Sequence, residues 1–153
     1  MISYIKINKK IIIILLSCFG LIPFIYPLIE DELHHSIFES IQVGSIIMYG
    51  TTILCFLSGS YWGIGLYLHF KKISNYFYCL LSMIPFFIGL TSAFIKNYNN
   101  VLLLIIGFLV CQVFDENLYK IGFYDKWYLI LRRILTLVVV TILIFTYIEY
   151  SYV

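Results

Sequence analysis

The chain has 153 residues, 62% of them hydrophobic and 12% charged, with a mean hydropathy of +0.98 and a formal net charge of +2. Soluble domains run near half apolar and about a quarter charged, so this chain has too few polar residues to cover a soluble core. That excludes an ordinary soluble enzyme and points to no nucleic-acid partner; it leaves one membrane domain, residues 1–153, with the lipid bilayer as its solvent.

The first apolar segment covers about residues 11–29, behind Lys6, Lys9 and Lys10. Leu16-Ser17-Cys18 faintly resembles a lipoprotein cleavage site. However, Phe19 to Leu28 continues apolar and no small-residue cleavage motif follows, so the segment reads as a retained crossing. Pro23 and Pro27 lack backbone donors and are expected to kink the helix or end it early. The break that follows carries Glu30, Asp31, Glu32 and Glu39 but no Lys or Arg. His34 and His35 lie in it. Two histidines with three carboxylates offer metal-type donors, but neighbours on a helix do not face the same way. The break therefore reads as a solvated acidic loop, with no metal and no cofactor expected.

The second segment covers about residues 44–70. Thr51, Cys55, Gly59 and Gly63 recur every fourth residue and form a small-residue ridge. Such ridges let backbones approach where lipid supplies no hydrophobic drive between helices. The expected contact is packing within the chain, with self-association or another membrane protein on the same face as the alternative. Ser58, Ser60, Tyr61 and Trp62 stand near the segment's middle. There, a phenol and an indole N–H need partners or a wet cavity. Two readings stay open: a packed core, or a polar cavity lined by Ser58, Tyr61 and Trp62. His69, beside Lys71 and Lys72, reads as interfacial.

The third segment covers about residues 76–95 and the fourth about 97–118. Eighteen residues from Asn97 span roughly 27 Å, which puts Asp115 at the far headgroup boundary. The fifth covers about residues 127–148 and opens with Trp127, Arg132 and Arg133. The break between the last two segments is short, so they are expected to run antiparallel as neighbours. An Asp115–Arg132 pair would then neutralise two charges near low dielectric, where a lone charge costs several kcal/mol. Arg133 is free to meet lipid phosphate.

Orientation follows from the basic residues in the breaks. One side holds Lys6, Lys9, Lys10, Lys71, Lys72, Lys120, Lys126, Arg132 and Arg133; the other holds Lys96 alone. The expected fold is an all-α integral membrane bundle of five transmembrane helices, N-terminus inside and C-terminus outside. Tyr124, Trp127, Tyr128, Tyr147, Tyr150 and Tyr152 cluster near segment ends, where amphipathic rings favour the interface. Cys18, Cys55, Cys79 and Cys111 lie in apolar stretches without a CxxC, and read as small buried side chains.

Three blocks carry a family resemblance: Gly20 to Phe24 (GLIPF), Tyr49 to Gly63 (YGTTILCFLSGSYWG) and Asp125 to Thr136 (DKWYLILRRILT). In order and spacing they resemble the DUF3429 membrane proteins. Many members carry histidine just before the tryptophan-glycine pair, where this chain has Tyr61. A role needing an imidazole there is not implied for this chain. The resemblance implies a multi-pass topology, in a bacterial or mitochondrial inner membrane, rather than an activity.

No nucleophile–base spacing, phosphate-cradling loop or dinucleotide fingerprint appears. The expected function is noncatalytic binding or scaffolding in the lipid plane. The alternative is a small-solute or ion transporter or channel component with a polar cavity near Tyr61 and Trp62. The residues singled out are Gly59, Tyr61, Trp62, Gly63, Asp115, Trp127 and Arg132.

Overall fold

A computed structural model describes residues 9–25, 38–72, 76–95 and 99–152. Five helices follow in order: α1 (Lys9–Phe19), α2 (Phe38–Phe70), α3 (Phe77–Phe94), α4 (Asn99–Lys120) and α5 (Lys126–Tyr152). The described residues are all-α, as expected. Four helices are long and apolar enough to cross a membrane, over Gly44–Phe70, Phe77–Phe94, Asn99–Lys120 and Lys126–Glu149. The remaining apolar helical stretch, Lys10–Ile25, is shorter.

The segment expected over 11–29 is interrupted. α1 stops at Phe19, a turn follows at Gly20 and Leu21, and residues 22–25 make one more helical turn. The cause is Pro23, which has no N–H to offer the Phe19 carbonyl. Tighter bonds replace the regular ladder: Leu21 N–H donates to the Cys18 carbonyl and Phe24 N–H to the Leu21 carbonyl, both at 3.0 Å. The Gly20 carbonyl accepts from the Tyr49 hydroxyl at 2.8 Å instead. That bond ties the break to α2. Pro27 and the acidic stretch with Glu30, Asp31, Glu32, His34 and His35 lie outside the described residues.

α2 starts at Phe38 rather than Gly44 and runs 33 residues, roughly 50 Å at 1.5 Å per residue. It packs most extensively on α3, while α4 touches α2, α3 and α5. α1 packs thinly, chiefly on α5. The core gathers Phe24, Leu54, Val101, Leu104, Phe108 and Leu143. Pro85 stands inside α3 and is buried. The outer surface is studded with large apolar side chains, among them Met48, Phe56, Phe70, Leu80 and Phe94. Serine, threonine and asparagine are buried instead, at Ser58, Ser82, Ser92, Asn100, Thr136 and Thr146. A lipid-facing bundle has that distribution, because lipid tails solvate leucine as well as the core does.

The buried stripe of α2 runs Gly50, Leu54, Ser58, Tyr61, Gly65 and Leu68. Its steps are four, four, three, four and three residues, which keeps it on one side of a 3.6-residue helix. The predicted ridge steps by four throughout, so it drifts about 40° per step and about 120° from Thr51 to Gly63. It begins beside the buried stripe and ends on the outer surface. Thr51 donates to the Gly89 carbonyl of α3 at 3.3 Å, and Cys55 is half-buried. Gly59 and Gly63 are exposed, and a Cβ built on either meets nothing within 4 Å. The expected close approach within the chain is therefore not made at Gly59 and Gly63. It is made at Gly65, where a Cβ would lie 2.8 Å from the backbone nitrogen of Cys79.

The four cysteines are unpaired thiols, and their environments differ. Cys79 and Cys111 are buried as expected, Cys55 is half-buried, and Cys18 is exposed on α1.

These two kinds of glycine are expected to respond oppositely to alanine. Gly65→Ala must push α2 from the α3 backbone and should cost about 1–3 kcal/mol. Gly63→Ala should change stability by less than about 1 kcal/mol, through helix propensity alone. Unfolding titrations in mixed micelles measure both; equal losses would refute this assignment of the packed face.

Candidate functional site

The connection between α4 and α5 sets the site's register. Gly122 has φ of +74°, a left-handed conformation open to glycine at little cost. Gly122 N–H donates to the Tyr119 carbonyl and Phe123 N–H to the Leu118 carbonyl, each at 2.9 Å. This pair of bonds closes α4 in a Schellman motif. The Asp125 carbonyl then accepts from Tyr128 and Leu129 at the start of α5, and the Trp127 indole donates to the Asp125 carboxylate at 3.0 Å. Lys10 of α1 lies 5.3 Å from the centre of the Trp127 ring, within cation–π range.

This tight reversal lays Asp115 beside Arg132. The Arg132 Nε donates to Asp115 Oδ2 at 2.7 Å. The neighbouring pair repeats the contact on the outside, where Arg133 Nε and Nη2 donate to the two Glu116 oxygens at 2.6 and 2.8 Å. Arg133 therefore has a protein carboxylate in the place expected for lipid phosphate. The two pairs differ in burial. The Asp115 and Arg132 side chains are 1% and 12% exposed, whereas those of Glu116 and Arg133 are 29% and 56% exposed. Asp115 lies inside α4, which continues to Lys120.

Tyr61 joins the pair from α2. Its hydroxyl lies 2.9 Å from Asp115 Oδ1 and 3.1 Å from the Cys111 carbonyl, and Arg132 Nη2 donates to it at 3.2 Å. One phenol proton serves one acceptor at a time, and the carboxylate is the stronger. The ring stacks on Phe114 with centroids 5.2 Å apart. Both Asp115 oxygens are thus engaged, one by Tyr61 and one by Arg132. Arg132 keeps donors in reserve. Its Nη1 makes no hydrogen bond among the described residues and is not sealed from its surroundings.

A cavity of about 430 Å³ opens against this triad. α1 contributes Leu16 and Ser17, and Gly20, Leu21 and Phe24 add to the same wall. α2 contributes Phe56, Ser60 and Tyr61; α4 contributes Phe108 and Asp115; α5 contributes Tyr128, Arg132 and Thr136. Tyr124, from the connection, completes the polar end. Burial pushes its phenol above the ordinary range, and Asp115 adds to the shift, so it remains an uncharged donor. Leu16 and Phe56 line the cavity while 66% and 69% exposed. Phe56 lies mid-helix in α2 and Leu16 about one turn before the end of α1, so the mouth opens between these two helices.

The structure sorts the residues singled out from sequence. Tyr61, Asp115 and Arg132 converge on one point. Trp127 lies nearby and braces the α4–α5 connection. Trp62 does not line the cavity: it is 39% exposed on the outer surface. Ser58 does not either; it is buried and donates to the Ser82 carbonyl at 2.5 Å. Gly59 and Gly63 stand apart on the outer surface. Sequence reasoning missed Tyr124, Tyr128 and the contribution of α1, which bring their groups together only through tertiary packing. Among the described residues, no group of three or more His, Cys, Asp or Glu side chains is placed to hold a metal.

The sequence profile of a family described as "Protein of unknown function (DUF3429)" matches residues 9–148. The chain belongs to the DUF3429 family. No curated protein and no solved structure matches it. Its helices make it a multi-pass membrane protein of that family.

The buried pair should show the asymmetry of an ion pair held in low dielectric. Asp115→Asn leaves Arg132 without its counter-charge and is expected to cost about 3–5 kcal/mol. Adding Arg132→Met to Asp115→Asn should recover part of that loss. Tyr61→Phe should cost about 1–3 kcal/mol, the range for losing a buried partner. Mixed-micelle unfolding reads all three. A double variant no more stable than the worse single one would rule out the pairing.

Proposed function

We propose that this DUF3429 protein is a noncatalytic binding protein that holds a small ligand inside the plane of the membrane. One observation carries this reading: the cavity has apolar walls and a polar end, and that end is a fixed triad of Tyr61, Asp115 and Arg132. Its volume, about 430 Å³, falls within the roughly 300–1,000 Å³ of small-molecule sites. The few polar groups converge at one end, as orientation-fixing groups do in such sites. Asp115 is committed to two donors, which argues for holding rather than for proton abstraction.

A small-solute or ion transport component draws on the same charged wall. The pair is internally neutral, however, and the mouth faces sideways into lipid. Both features favour occupancy over passage.

The test uses the full chain in lipid nanodiscs assembled from native membranes. Mass spectrometry of the extracted discs should find a small molecule retained by the wild type. Ser17→Phe places a ring in the cavity from the α1 wall and should lose it. Equal retention by both would remove the binding reading. Separately, Tyr61→Phe should leave liposome flux of small solutes and ions at the protein-free background, as should the wild type. Flux that the wild type supports and Tyr61→Phe abolishes would put transport in its place.

The placement of basic residues supports an N-terminus on the cytoplasmic or matrix side of an inner membrane and a C-terminus across it. Reporter tags on the two ends should report opposite compartments; a shared compartment would overturn this topology.

A further inference from the structure

We infer that the ligand of this cavity is an uncharged amphipathic molecule, with a hydrogen-bond-accepting head such as a carbonyl and an apolar body. The inference rests on the binding reading above and deepens it.

The first step is charge. The cavity's polar end contains one carboxylate and one guanidinium, joined at 2.7 Å. Their sum is zero. A ligand anion would have to compete with Asp115 for Arg132, and a ligand cation would face Arg132 while Asp115 is already engaged. In a medium of low dielectric, either brings an uncompensated charge, which desolvation strongly disfavours. An uncharged head avoids that cost.

The second step is hydrogen-bond capacity. Both Asp115 oxygens already accept, Oδ1 from Tyr61 and Oδ2 from Arg132, and the remaining acceptors at this end are the neutral hydroxyls of Tyr124, Tyr128 and Thr136. Arg132 Nη1 carries two N–H donors with no partner among the described residues, and it is not sealed off. The strongest unspent capacity is that of a charged donor, and its complement is an acceptor. An alcohol or amine head that needs its own proton accepted would find less here.

The third step is the route. The exposed Leu16 and Phe56 flank a mouth that opens between α1 and α2, and Phe56 lies within the apolar span Gly44–Phe70. A molecule entering there comes from the hydrocarbon region and must be soluble in it. The aromatic and aliphatic walls from Phe24, Phe108 and Val139 then receive its body.

The experiment compares three probes of similar chain length at equal mole fraction in nanodiscs: 2-undecanone, decanesulfonate and decyltrimethylammonium. Binding is read from the shift in thermal unfolding of the full chain with probe concentration. The ketone should bind at least about tenfold more tightly than either ion, a difference of about 1.4 kcal/mol. Ser60→Phe, at an exposed position on the cavity wall, keeps the fold and should abolish the ketone's shift. Arg132→Gln should reduce the ketone's preference at least about tenfold. If decanesulfonate or decyltrimethylammonium binds most tightly and Ser60→Phe abolishes that binding, the uncharged class is overturned while the binding reading stands. If no probe shifts the wild type, or Ser60→Phe leaves every shift intact, both fall.

Discussion

A carboxylate with no exposed surface, surrounded by apolar helices, persists only if something answers its charge. Asp115 is in that position, and Arg132 answers it. The rest of the site follows from that constraint. The pair forms only if α4 and α5 run antiparallel in one register, which the Gly122 closure and the Asp125 start of α5 impose. The remaining Asp115 oxygen then needs a donor, and α2 supplies one from Tyr61. Three helices are thereby fixed at one point by polar contacts. Burying such a pair is not in itself stabilising, because desolvation offsets much of the attraction. Its contribution is specificity: any other register would strand a charge in the bundle.

Packing elsewhere obeys a different rule. In water, an exposed stripe of leucine and phenylalanine would drive association. In lipid it is simply solvated, and helices meet where small residues allow close approach. That is why Gly65 rests against the α3 backbone while Phe56 and Met48 face outward. It also explains the buried hydroxyls. Ser58 and Thr51 bond carbonyls of α3 across the interface, and Thr146 bonds within its own helix. Each satisfies a group that lipid would leave unpaired.

The parts of this architecture legible in the sequence are those written in one dimension. Runs of apolar residues announced the helices, and four of the five are long enough to cross a bilayer. The Asp115–Arg132 contact was legible too, because a short break forces neighbouring helices antiparallel and few charges were available to pair. The convergence of Tyr61 on that pair was not, since it depends on how α2 rotates about its axis. The four-residue ridge misled for the same reason. A row of small residues at strict spacing of four winds off a helix face, so Gly59 and Gly63 end on the outer surface and Gly65 does the packing. Trp62 went with the ridge: one residue along from Tyr61 is about 100° of rotation, enough to leave the core. The early stop of α1 was signalled by Pro23. That its broken end would wall a cavity was not.

The weakest wall of the cavity is also its most informative. Ile11 to Leu16 and Phe19 of α1 are all exposed, and the segment is held by a short set of contacts. Phe24 packs edge-on against Tyr49 and Phe108, Tyr49 bonds the Gly20 carbonyl, and Lys10 lies over Trp127. An element with few buried contacts opens at lower free energy than the body it leans on. A ligand held between α1 and α5, as proposed, would touch both and would bind the docked arrangement in preference to an undocked one. It would then stabilise docking by RT ln(1 + [L]/Kd), whatever its identity. Undocking would in turn weaken the ligand by the same factor. Under that proposal, occupancy of the cavity and the position of α1 are one equilibrium, with the Tyr49–Gly20 bond on its docked side.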